Sequence, residues 1–582
     1  MEKALNLPEI LGSIGHFLPR SDLLTCLRVC KAWKLQLEPR LWRRFRYYDL
    51  DSRPPSEALI NQNAKYIHFL NIEADSSKFP TAFFAHSDSL QGLTLIRCPG
   101  THRPGFPQWC DALTKMISNN PQLRRIVFHA HTNDSHENFI PTQEFVESLR
   151  ACSRLLVLET SEIYYGKAGD SMIELYMRSS VNTVRRLATT RDIYSSTFTF
   201  PDDLVFKELR YFDIRDVEDM TVDTQLTWIS RCPNLISLHW SSTMNIPVGR
   251  FIDIIPAACP HLTDLHLLVH VGDKDIARIL ESLPRIEKLS VTGTSFGKVA
   301  FQALKLHFST FRDINLQSCY DVTGAMVHEI LCSCPNLQSI SADEICNLDM
   351  PEEEQWVCNK LQMFDVGIYV THIVTTTQGK KQQTLDTDKA IYKRLAQLTQ
   401  LEYLSVSSPN PAQRITGGAN PSIPLSVALI AGLGELKTLK RLRDFSCKKL
   451  LDVTFMMGGA LEAVQWMVEN WPSLECLEAV LGSVYTGRQS DEITINRIMT
   501  LLQIRGIEFK HYEEDEDEED EEEDEDEYYF EERINNYMLH QHMYHSDDSP
   551  DTYDPDYGGM PNFGSSGETE EGNYWDPDLD FD

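Results

Sequence analysis

The chain has 582 residues, of which 42% are hydrophobic and 24% are charged, so most of its length can form a packed core. The formal net charge is −32, but residues 511–582 alone hold 29 of the 86 acidic side chains and one basic side chain, Arg533. The remaining 510 residues hold 57 acidic and 53 basic side chains and are close to neutral. Because nucleic acids and anionic membranes bind strongly basic surfaces, this composition argues against both as main partners.

The compartment is predicted from two further features. No apolar run approaches the roughly 20 residues of a membrane-spanning helix, and Met1–Asn6 lacks the charged-then-apolar pattern of a secretory signal. The 14 cysteines are scattered along the chain without the spacing of a disulfide framework. We therefore expect reduced thiols and a cytoplasmic or nuclear protein.

The first 47 residues have a pattern of their own, which predicts three short helices. Apolar residues with the spacing of one helical stripe are Ile10, Leu11, Ile14, Phe17 and Leu18. After the break at Pro19, the second and third pieces supply Leu23, Leu24, Leu27, Val29, Cys30, Trp33, Leu41, Trp42 and Phe45. So short a segment cannot bury this much apolar surface alone, and it must pack on the next domain or on another chain. Periodicity alone favours the next domain.

The order of residues in this segment resembles an F-box. The matching runs are Leu7-Pro8-Glu9-Ile10-Leu11, Asp22-Leu23-Leu24-x-Cys26-Leu27-x-Val29-Cys30-Lys31-Ala32-Trp33 and Pro39-x-Leu41-Trp42-Arg43. The resemblance implies three helices that bind a Skp-type adaptor, which joins them to a cullin ubiquitin ligase. By position, it implies an adaptor face made of Leu7, Pro8, Ile10, Leu11, Ile14, Leu23, Leu24, Val29, Cys30 and Trp42. The sequence does not decide whether Trp33 faces the adaptor or the following domain.

A different pattern recurs between residues 67 and 510: an apolar residue, two others, an apolar residue, one other, and a mostly apolar residue. It is clearest at Leu235-x-x-Leu238-x-Trp240 and Leu262-x-x-Leu265-x-Leu267. The 16 copies start at Ile67, Leu90, Leu123, Leu155, Val184, Leu209, Leu235, Leu262, Ile286, Phe311, Leu337, Leu361, Leu401, Leu442, Leu474 and Ile504. The mean step is about 28 residues, within the range of leucine-rich repeats.

Each copy predicts a short strand with one buried face, and the residues between strands predict helices, for example at Asp275–Leu283 and Ala325–Cys332. A single copy cannot bury its apolar face, so neighbouring copies must stack. The run from Leu316 to Thr323 resembles the cysteine-containing subtype of leucine-rich repeat. That resemblance implies a solenoid with parallel strands on its concave face and helices outside. The long steps after Leu361 and Leu401 predict insertions near residues 371–388 and 408–424.

The predicted fold class is therefore α/β, in four segments. An F-box occupies residues 1–47, a linker or helical cap residues 48–66, and the solenoid residues 67–510. The last segment, residues 511–582, contains the unbroken acidic run Glu513–Glu527 and is predicted to be a disordered tail, because self-repulsion opposes ordering.

The concave face is the predicted binding surface for a target protein, because residues between the apolar positions of each strand point away from the core. In the most regular copies these are Tyr211, Asp213, Arg215, His239, Asp264, His266, Lys288, Asn315 and Gln317. Their mixed polarity suits a polar or charged peptide. Tyr211 and Arg215 are expected to contribute most, since aromatic and Arg side chains dominate interface energies, whereas Phe212 and Ile214 are expected in the core. The alternative is a solvated surface without a ligand.

Sequence motifs for catalysis or cofactor binding were not found. There is no phosphate-binding glycine loop, no His-Glu-x-x-His and no Cys-x-x-Cys pair. The best metal-like group, His328, Cys332 and Cys334, is assigned to core packing because the two cysteines lie at a repeat junction. The sequence thus predicts a non-catalytic protein without cofactor or metal.

Two functions remain. The first is a substrate receptor of a Skp-cullin-F-box ubiquitin ligase, with the F-box on the adaptor and the solenoid on an unknown target. The second is an adaptor-bound scaffold without degradation, in which the acidic run binds a basic protein such as a histone or a ribosomal protein.

Overall fold

The computed structural model describes residues 7–18, 20–47, 56–72, 88–96, 98, 105–129, 142–161, 182–190, 192, 203–217, 220–242, 248–269, 271–351, 353–371, 379–406, 422–447, 458–479 and 489–511. Most of these residues form either the 18 strands of one sheet or the helices between those strands. The predicted acidic tail lies outside the described residues, apart from His511. In the part of the chain that is described, every helix is too short or too polar to cross a bilayer.

The strands follow one another along the chain at the intervals that the repeats predict. They are β1 (Arg44–Tyr47), β2 (Phe69–Ile72), β3 (Gly92–Ile96), β4 (Arg125–His129), β5 (Val157–Ser161), β6 (Arg186–Thr190), β7 (Tyr211–Arg215), β8 (Ser237–Ser242), β9 (Asp264–Val269), β10 (Lys288–Ser290), β11 (Asp313–Leu316), β12 (Ser339–Cys346), β13 (Met363–Thr371), β14 (Tyr403–Ser405), β15 (Ser422–Pro424), β16 (Asp444–Cys447), β17 (Cys476–Ala479) and β18 (Glu508–His511).

The pairing of these strands is parallel and nearly uniform. Each strand from β1 to β14 pairs in parallel with the next, and the ladder continues from β14 through β16 and β17 to β18. Among the strands of the described residues, β15 alone is antiparallel, with β13. Equivalent repeat positions therefore lie side by side, for example Tyr211 beside Ser237 and Asp213 beside His239. This is the leucine-rich-repeat solenoid that the sequence predicts.

The predicted repeat starts agree with the strands in all but one case. Fifteen of the 16 starts lie two residues before the first residue of a strand. The sixteenth, Ile504, is wrong: it lies in the last turn of a helix, with a 76% exposed side chain, and the strand begins at Glu508. The apolar spacing of that helix imitates the repeat pattern.

Helices connect the strands and cover the apolar side of the sheet. They are α1 (Pro8–Phe17), α2 (Arg20–Cys26), α3 (Lys31–Arg43), α4 (Glu57–Asn63), α5 (Phe106–Asn119), α6 (Gln143–Ala151), α7 (Val222–Ser230), α8 (Val248–Ala258), α9 (Asp273–Ser282), α10 (Lys298–Leu304), α11 (Gly324–Ser333), α12 (Gly379–Leu395), α13 (Gly458–Asn470) and α14 (Gln489–Arg505). Helices α9 and α11 match the two predicted between strands. Phe212 of β7 contacts Trp228 of α7 at 5.0 Å between ring centroids, and both are buried in one continuous core.

Neighbouring repeats are also joined by hydrogen bonds at the helix starts. The carboxylate of Asp273, at the start of α9, accepts hydrogen bonds from the backbone N–H groups of Gly297, Val299 and Ala300 at 2.9, 3.0 and 2.7 Å. These groups are at the start of α10, where the first N–H groups of a helix have no partner within it. The side chain from one repeat therefore caps the helix of the next.

The junction between the first three helices and the solenoid is a shared strand. Residues 44–47, which the sequence places in the F-box, form β1 and pair in parallel with β2. Trp42 is two residues before β1, the position of the first apolar residue of a repeat, and its ring lies 5.4 Å from that of Phe45. The first repeat thus begins inside the F-box pattern rather than at Ile67.

The predicted insertions are only partly described. Helix α12 covers residues 379–395 and β15 covers residues 422–424, whereas residues 372–378 and 407–421 lie outside the described residues. Within α12, Tyr392 is fully buried and its hydroxyl donates a hydrogen bond of 2.8 Å to the carbonyl of Ser426. The C-terminal part of α12, just after the predicted insertion, therefore adds to the core of the solenoid.

Candidate functional site

The N-terminal helices present an unusual number of exposed apolar side chains. In α1 and the residue before it, Leu7, Ile10 and Phe17 are 49%, 37% and 82% exposed. Their spacing of three and seven residues, with half-buried Ile14 between them, puts them on one stripe of the helix. Further exposed apolar residues in the next two helices and the turn between them are Leu24, Val29 and Leu35. Together these seven residues are called the apolar F-box face.

The sequence-based set for this face divides into two groups. Leu7, Pro8, Ile10, Leu24, Val29 and Cys30 are exposed, and Ile14 is half-buried. Leu11, Leu23 and Trp42 are buried inside the chain, with 1%, 7% and 9% exposure, so here they support the face and are not part of it. The physical reason is clearest for Trp42, which takes the first apolar position of the first repeat and packs in the solenoid core. Phe17 and Leu35 are exposed apolar residues that the sequence-based set does not include, although Phe17 belongs to the predicted stripe of the first helix.

A close helix contact fixes the shape of this module. Helices α1 and α2 both pack on α3. Gly15 of α1 is buried, and a Cβ atom placed on it would lie 2.7 Å from the Cδ2 atom of Leu37 in α3. Only glycine permits this approach, so the register of α1 on α3 depends on it.

On the concave face, the predicted residues Tyr211, Asp213, Arg215 and His239 form one hydrogen-bonded group. Asp213 has no exposed surface, and Arg215 donates two hydrogen bonds of 2.9 Å to its two carboxylate oxygens. The hydroxyl of Tyr211 lies 3.3 Å from Oδ2 of Asp213 and 3.0 Å from Nδ1 of His239. Burial raises the pKa of Asp213 above its ordinary value, and Arg215 opposes that shift. A buried, salt-bridged carboxylate therefore holds this group together on the concave surface.

Two histidines continue this group across the next strand. The rings of His239 and His266 lie 3.7 Å apart between centroids, with an interplanar angle of 32°. Burial lowers the pKa of His239 to about 2 and that of His266 to about 4, and nearby cations shift both further in the same direction. Both imidazoles are therefore neutral at neutral pH and can donate or accept hydrogen bonds.

The other predicted residues lie on the same face but outside this group. Lys288 is 2.9 Å from the carboxylate of Asp313 on the next strand. Gln317 donates from its backbone N–H to Asn315 Oδ1 at 3.0 Å and from its side chain to Asp365 at 2.8 Å. Asp264 is half-buried, and burial raises its pKa. The nine residues thus share one surface, on which five form one connected group and Asn315 and Gln317 form a separate pair.

Two residues of the concave face were missed from the sequence. Glu159 of β5 is 4% exposed, and its carboxylate lies 2.8 Å from Nε of Arg186 on β6 and 3.8 Å from Arg125 on β4. The guanidinium of Arg186 also lies 3.9 Å from the centre of the Tyr211 ring, which makes it a cation–π partner. Glu159 and Arg186 occupy the same repeat positions as Asp213 and Tyr211, so the repeat pattern was sufficient to find them.

His328, Cys332 and Glu354 form the nearest approach to a metal-ligand set among the described residues. The Cys332 sulfur is 3.8 Å from Nδ1 and 3.6 Å from Nε2 of His328. Tetrahedral zinc on either nitrogen would put the sulfur roughly 5 Å from the other nitrogen. The sulfur is nearly equidistant from both, so this arrangement is a packing contact, with Glu354 3.4 Å from Nδ1. Cys334, the third residue of the predicted group, is buried in the core.

Comparisons with known proteins identify the N-terminal module. A protein-family model described as F-box-like matches residues 6–47. No curated protein matches the chain. Among solved structures, TLR13 in its complex with ssRNA13 is 11% identical, with 78% of this chain and 65% of that chain covered and a TM-score of 0.22. Toll in the Drosophila Toll–Spatzle complex is 12% identical, with 76% and 52% covered and a TM-score of 0.22.

The chain therefore spans less than two thirds of either solved protein, and at such TM-scores neither likeness carries an argument about this one. The repeat assignment depends instead on the chain's own parallel strands and their register. The chain therefore combines an F-box-like segment at residues 6–47 with a parallel-strand solenoid of the leucine-rich-repeat pattern after it.

Proposed function

We propose that this chain is the non-catalytic substrate-recognition subunit of a Skp-cullin-F-box ubiquitin ligase. On this proposal the apolar F-box face binds a Skp-type adaptor and, through it, a cullin. The concave face of the solenoid binds the target protein. The chain accelerates ubiquitin transfer by positioning, because holding the target near the activated ubiquitin raises its effective concentration.

The observation that carries the proposal is the apolar F-box face within the segment that matches the F-box-like family. Leu7, Phe17, Leu24, Val29 and Leu35 are each at least 46% exposed on a module of about 40 residues. A concentration of exposed apolar side chains on so small a module supports an interaction site. Its interior is already filled by Leu11, Leu23 and Leu37, so the exposed residues are available to a second chain.

The proposal is tested by co-purification from cells with and without a proteasome inhibitor. The wild-type chain should retain a Skp-type adaptor and a cullin under both conditions, and a bound target should be enriched only with the inhibitor. The Leu24→Asp variant, which puts a charge on the apolar F-box face, should lose the adaptor and cullin but keep the target. A chain that retains no adaptor would refute the proposal. Targets recovered equally in both conditions would instead support the adaptor-bound scaffold.

A further inference from the structure

The charged residues of the concave face are not evenly mixed along the solenoid. Towards the N-terminal end, in β4 to β7 and in the residue before each of these strands, which borders the face, the cations are Arg124, Arg125, Arg185, Arg186, Arg210 and Arg215. The anions at that end are Glu159 and Asp213. The difference is four positive charges, in a folded part of the chain that is nearly neutral as a whole.

The two carboxylates at this end are already neutralised by the cations that lie deepest. Glu159 lies against Arg186 and Arg125, and Asp213 lies against Arg215. Three of the four excess charges are therefore carried by Arg124, Arg185 and Arg210, all of which are exposed. Among the described residues no ion pair ends on these three. Backbone hydrogen bonds of the parallel ladder place these three residues in one row. The N–H of Leu156 donates to the carbonyl of Arg124, that of Arg185 to the carbonyl of Leu156, and that of Arg210 to the carbonyl of Arg185.

The opposite end has the reverse charge. Along β13, β14, β16, β17 and β18, again with the residue before each strand, the anions are Asp365, Glu402, Asp444, Glu475, Glu478 and Glu508. The cations there are Arg443 and Lys510. The difference is four negative charges, the mirror of the other end.

The carboxylates at this second end raise the pKa values of their neighbours. Burial raises the pKa of Asp444 first, and Glu475 and Glu478 raise it further, whereas Lys510 and Arg443 oppose the shift. Glu478 also raises the pKa of Asp365, after burial. Carboxylates from neighbouring strands therefore lie close enough to act on one another at this end.

From this distribution we infer that the concave face selects an extended peptide segment with an acidic end and a basic end, and fixes its direction. The acidic end lies on β4 to β7 and the basic end on β13 to β18. The inference deepens the proposed function and rests on it for the role of the concave face in target binding. Oppositely charged ends give specificity, because a reversed segment would place like charges together at both ends.

The size of the segment follows from the geometry of the sheet. Twelve strand-to-strand steps separate β4 from β17 in the ladder. At about 4.8 Å per step the path is about 58 Å, which an extended peptide of about 18 residues spans at about 3.3 Å per residue. The partner is thus a chain segment rather than a single side chain.

The test measures the binding of two fluorescent peptides of about 18 residues to the full chain by anisotropy. The block peptide has a run of Glu at one end and a run of Lys at the other; the alternating peptide has the same composition. A full chain in which Glu513–Glu527 is replaced by Gly and Ser is measured alongside, because the acidic run attracts Lys in either peptide. The block peptide should bind at least tenfold more tightly than the alternating one. Equal affinities in the neutralised chain would overturn the inference.

Direction is measured with a photo-crosslinker at the Glu end of the block peptide. The label should appear on residues of β4 to β7, and a label on β13 to β18 would contradict the assigned direction. Charge reversal by Arg124→Glu, Arg185→Glu and Arg210→Glu together should weaken block-peptide binding at least tenfold. The matched control is Lys274→Glu, Arg278→Glu and Lys298→Glu, three exposed cations of α9 and α10 with the same change in net charge. An equal loss in the control would mean that only net charge matters, and the inference would fail.

Adaptor co-purification is recorded for the same variants, so that the two proposals fail separately. Loss of peptide selection with normal adaptor binding removes only the inference about the concave face. Normal peptide selection in a chain that binds no adaptor removes the proposed function but not the selectivity of the face.

Discussion

Arg215 donates two hydrogen bonds of 2.9 Å to the carboxylate of Asp213, which has no exposed surface at all. The sequence assigned Arg215 to target binding, but the structure gives it a partner within the same strand. Arg215→Ala should therefore lower the free energy of unfolding by about 2–4 kcal/mol, because it leaves a buried carboxylate unpaired. Chemical denaturation of the variant measures this loss.

The matched variant for Arg215 is the double change Asp213→Asn with Arg215→Ala. It removes the buried charge together with its partner, so it should be more stable than Arg215→Ala alone. A double variant as unstable as the single one would show that Arg215 stabilises the fold through packing and not through its charge.

His266 gives the concave face a predicted pH dependence. Burial, followed by Lys288 and Arg215, lowers its pKa to about 4 in the folded chain, against about 6.5 when unfolded. Between these values the unfolded chain binds a proton that the folded chain does not, so the contribution of His266 to stability is lost as pH falls from about 6.5 to 4. The advantage of the wild type over His266→Gln should shrink by about 1–3 kcal/mol across this window.

That comparison is made between wild type and variant because other groups act in the opposite direction. Burial raises the pKa of Asp388 to about 7, so folding favours its protonated form, and this part of the stability decreases as pH rises. A difference between wild type and His266→Gln that is constant from pH 7 to pH 4 would contradict the predicted protonation state.

Leu24 and Trp42 were both assigned to the adaptor face, and they should now behave differently. Leu24 is 46% exposed, so Leu24→Asp should abolish adaptor co-purification and change the free energy of unfolding by less than about 1 kcal/mol. Trp42 is 9% exposed and starts the first repeat, so Trp42→Ala should cost about 3–5 kcal/mol of stability. If Trp42→Ala unfolds like wild type and loses only the adaptor, its placement in the solenoid core is refuted.

Gly15 and Gly12 provide a matched pair of substitutions in α1. Gly15→Ala should destabilise the module by about 1–3 kcal/mol, because the new methyl group would overlap the Cδ2 atom of Leu37. Gly12→Ala should be neutral or stabilising, since its nearest neighbour is the flexible tip of Arg40 at 3.4 Å and alanine favours helix. Thermal melting of the two variants in the full chain, read from N-terminal probes, measures the difference. Equal effects would place the contact between α1 and α3 elsewhere.

The sequence predicted the strands well because their apolar spacing is enforced by stacking. Neighbouring repeats share one core, so each repeat must place its apolar residues at equivalent positions along its strand. The same spacing therefore recurs in nearly every copy. Trp42 was misassigned because one residue satisfies two patterns, the end of the F-box and the start of a repeat. Ile504 was misassigned because helix spacing also places apolar residues three apart.

The contacts on the concave face were less predictable. The sequence places Tyr211 and His239 on the same surface, but the hydrogen bond between them depends on side-chain rotamers. Arg215 illustrates the limit: its type and position favoured a role in binding, and only the geometry reveals the buried carboxylate two residues before it. For the apolar F-box face, the sequence identified the apolar residues but not which of them the module covers itself.

The shared strand β1 has a mechanical consequence. Because the last residues of the F-box-like domain pair directly with β2, the backbone hydrogen bonds of the sheet hold the domain and the first repeats together. If the proposed function holds, the position of a bound protein is set by which repeats hold it, in increments of about 4.8 Å. Deleting one whole repeat between the two surfaces should then move the bound protein along the ladder by about one such increment.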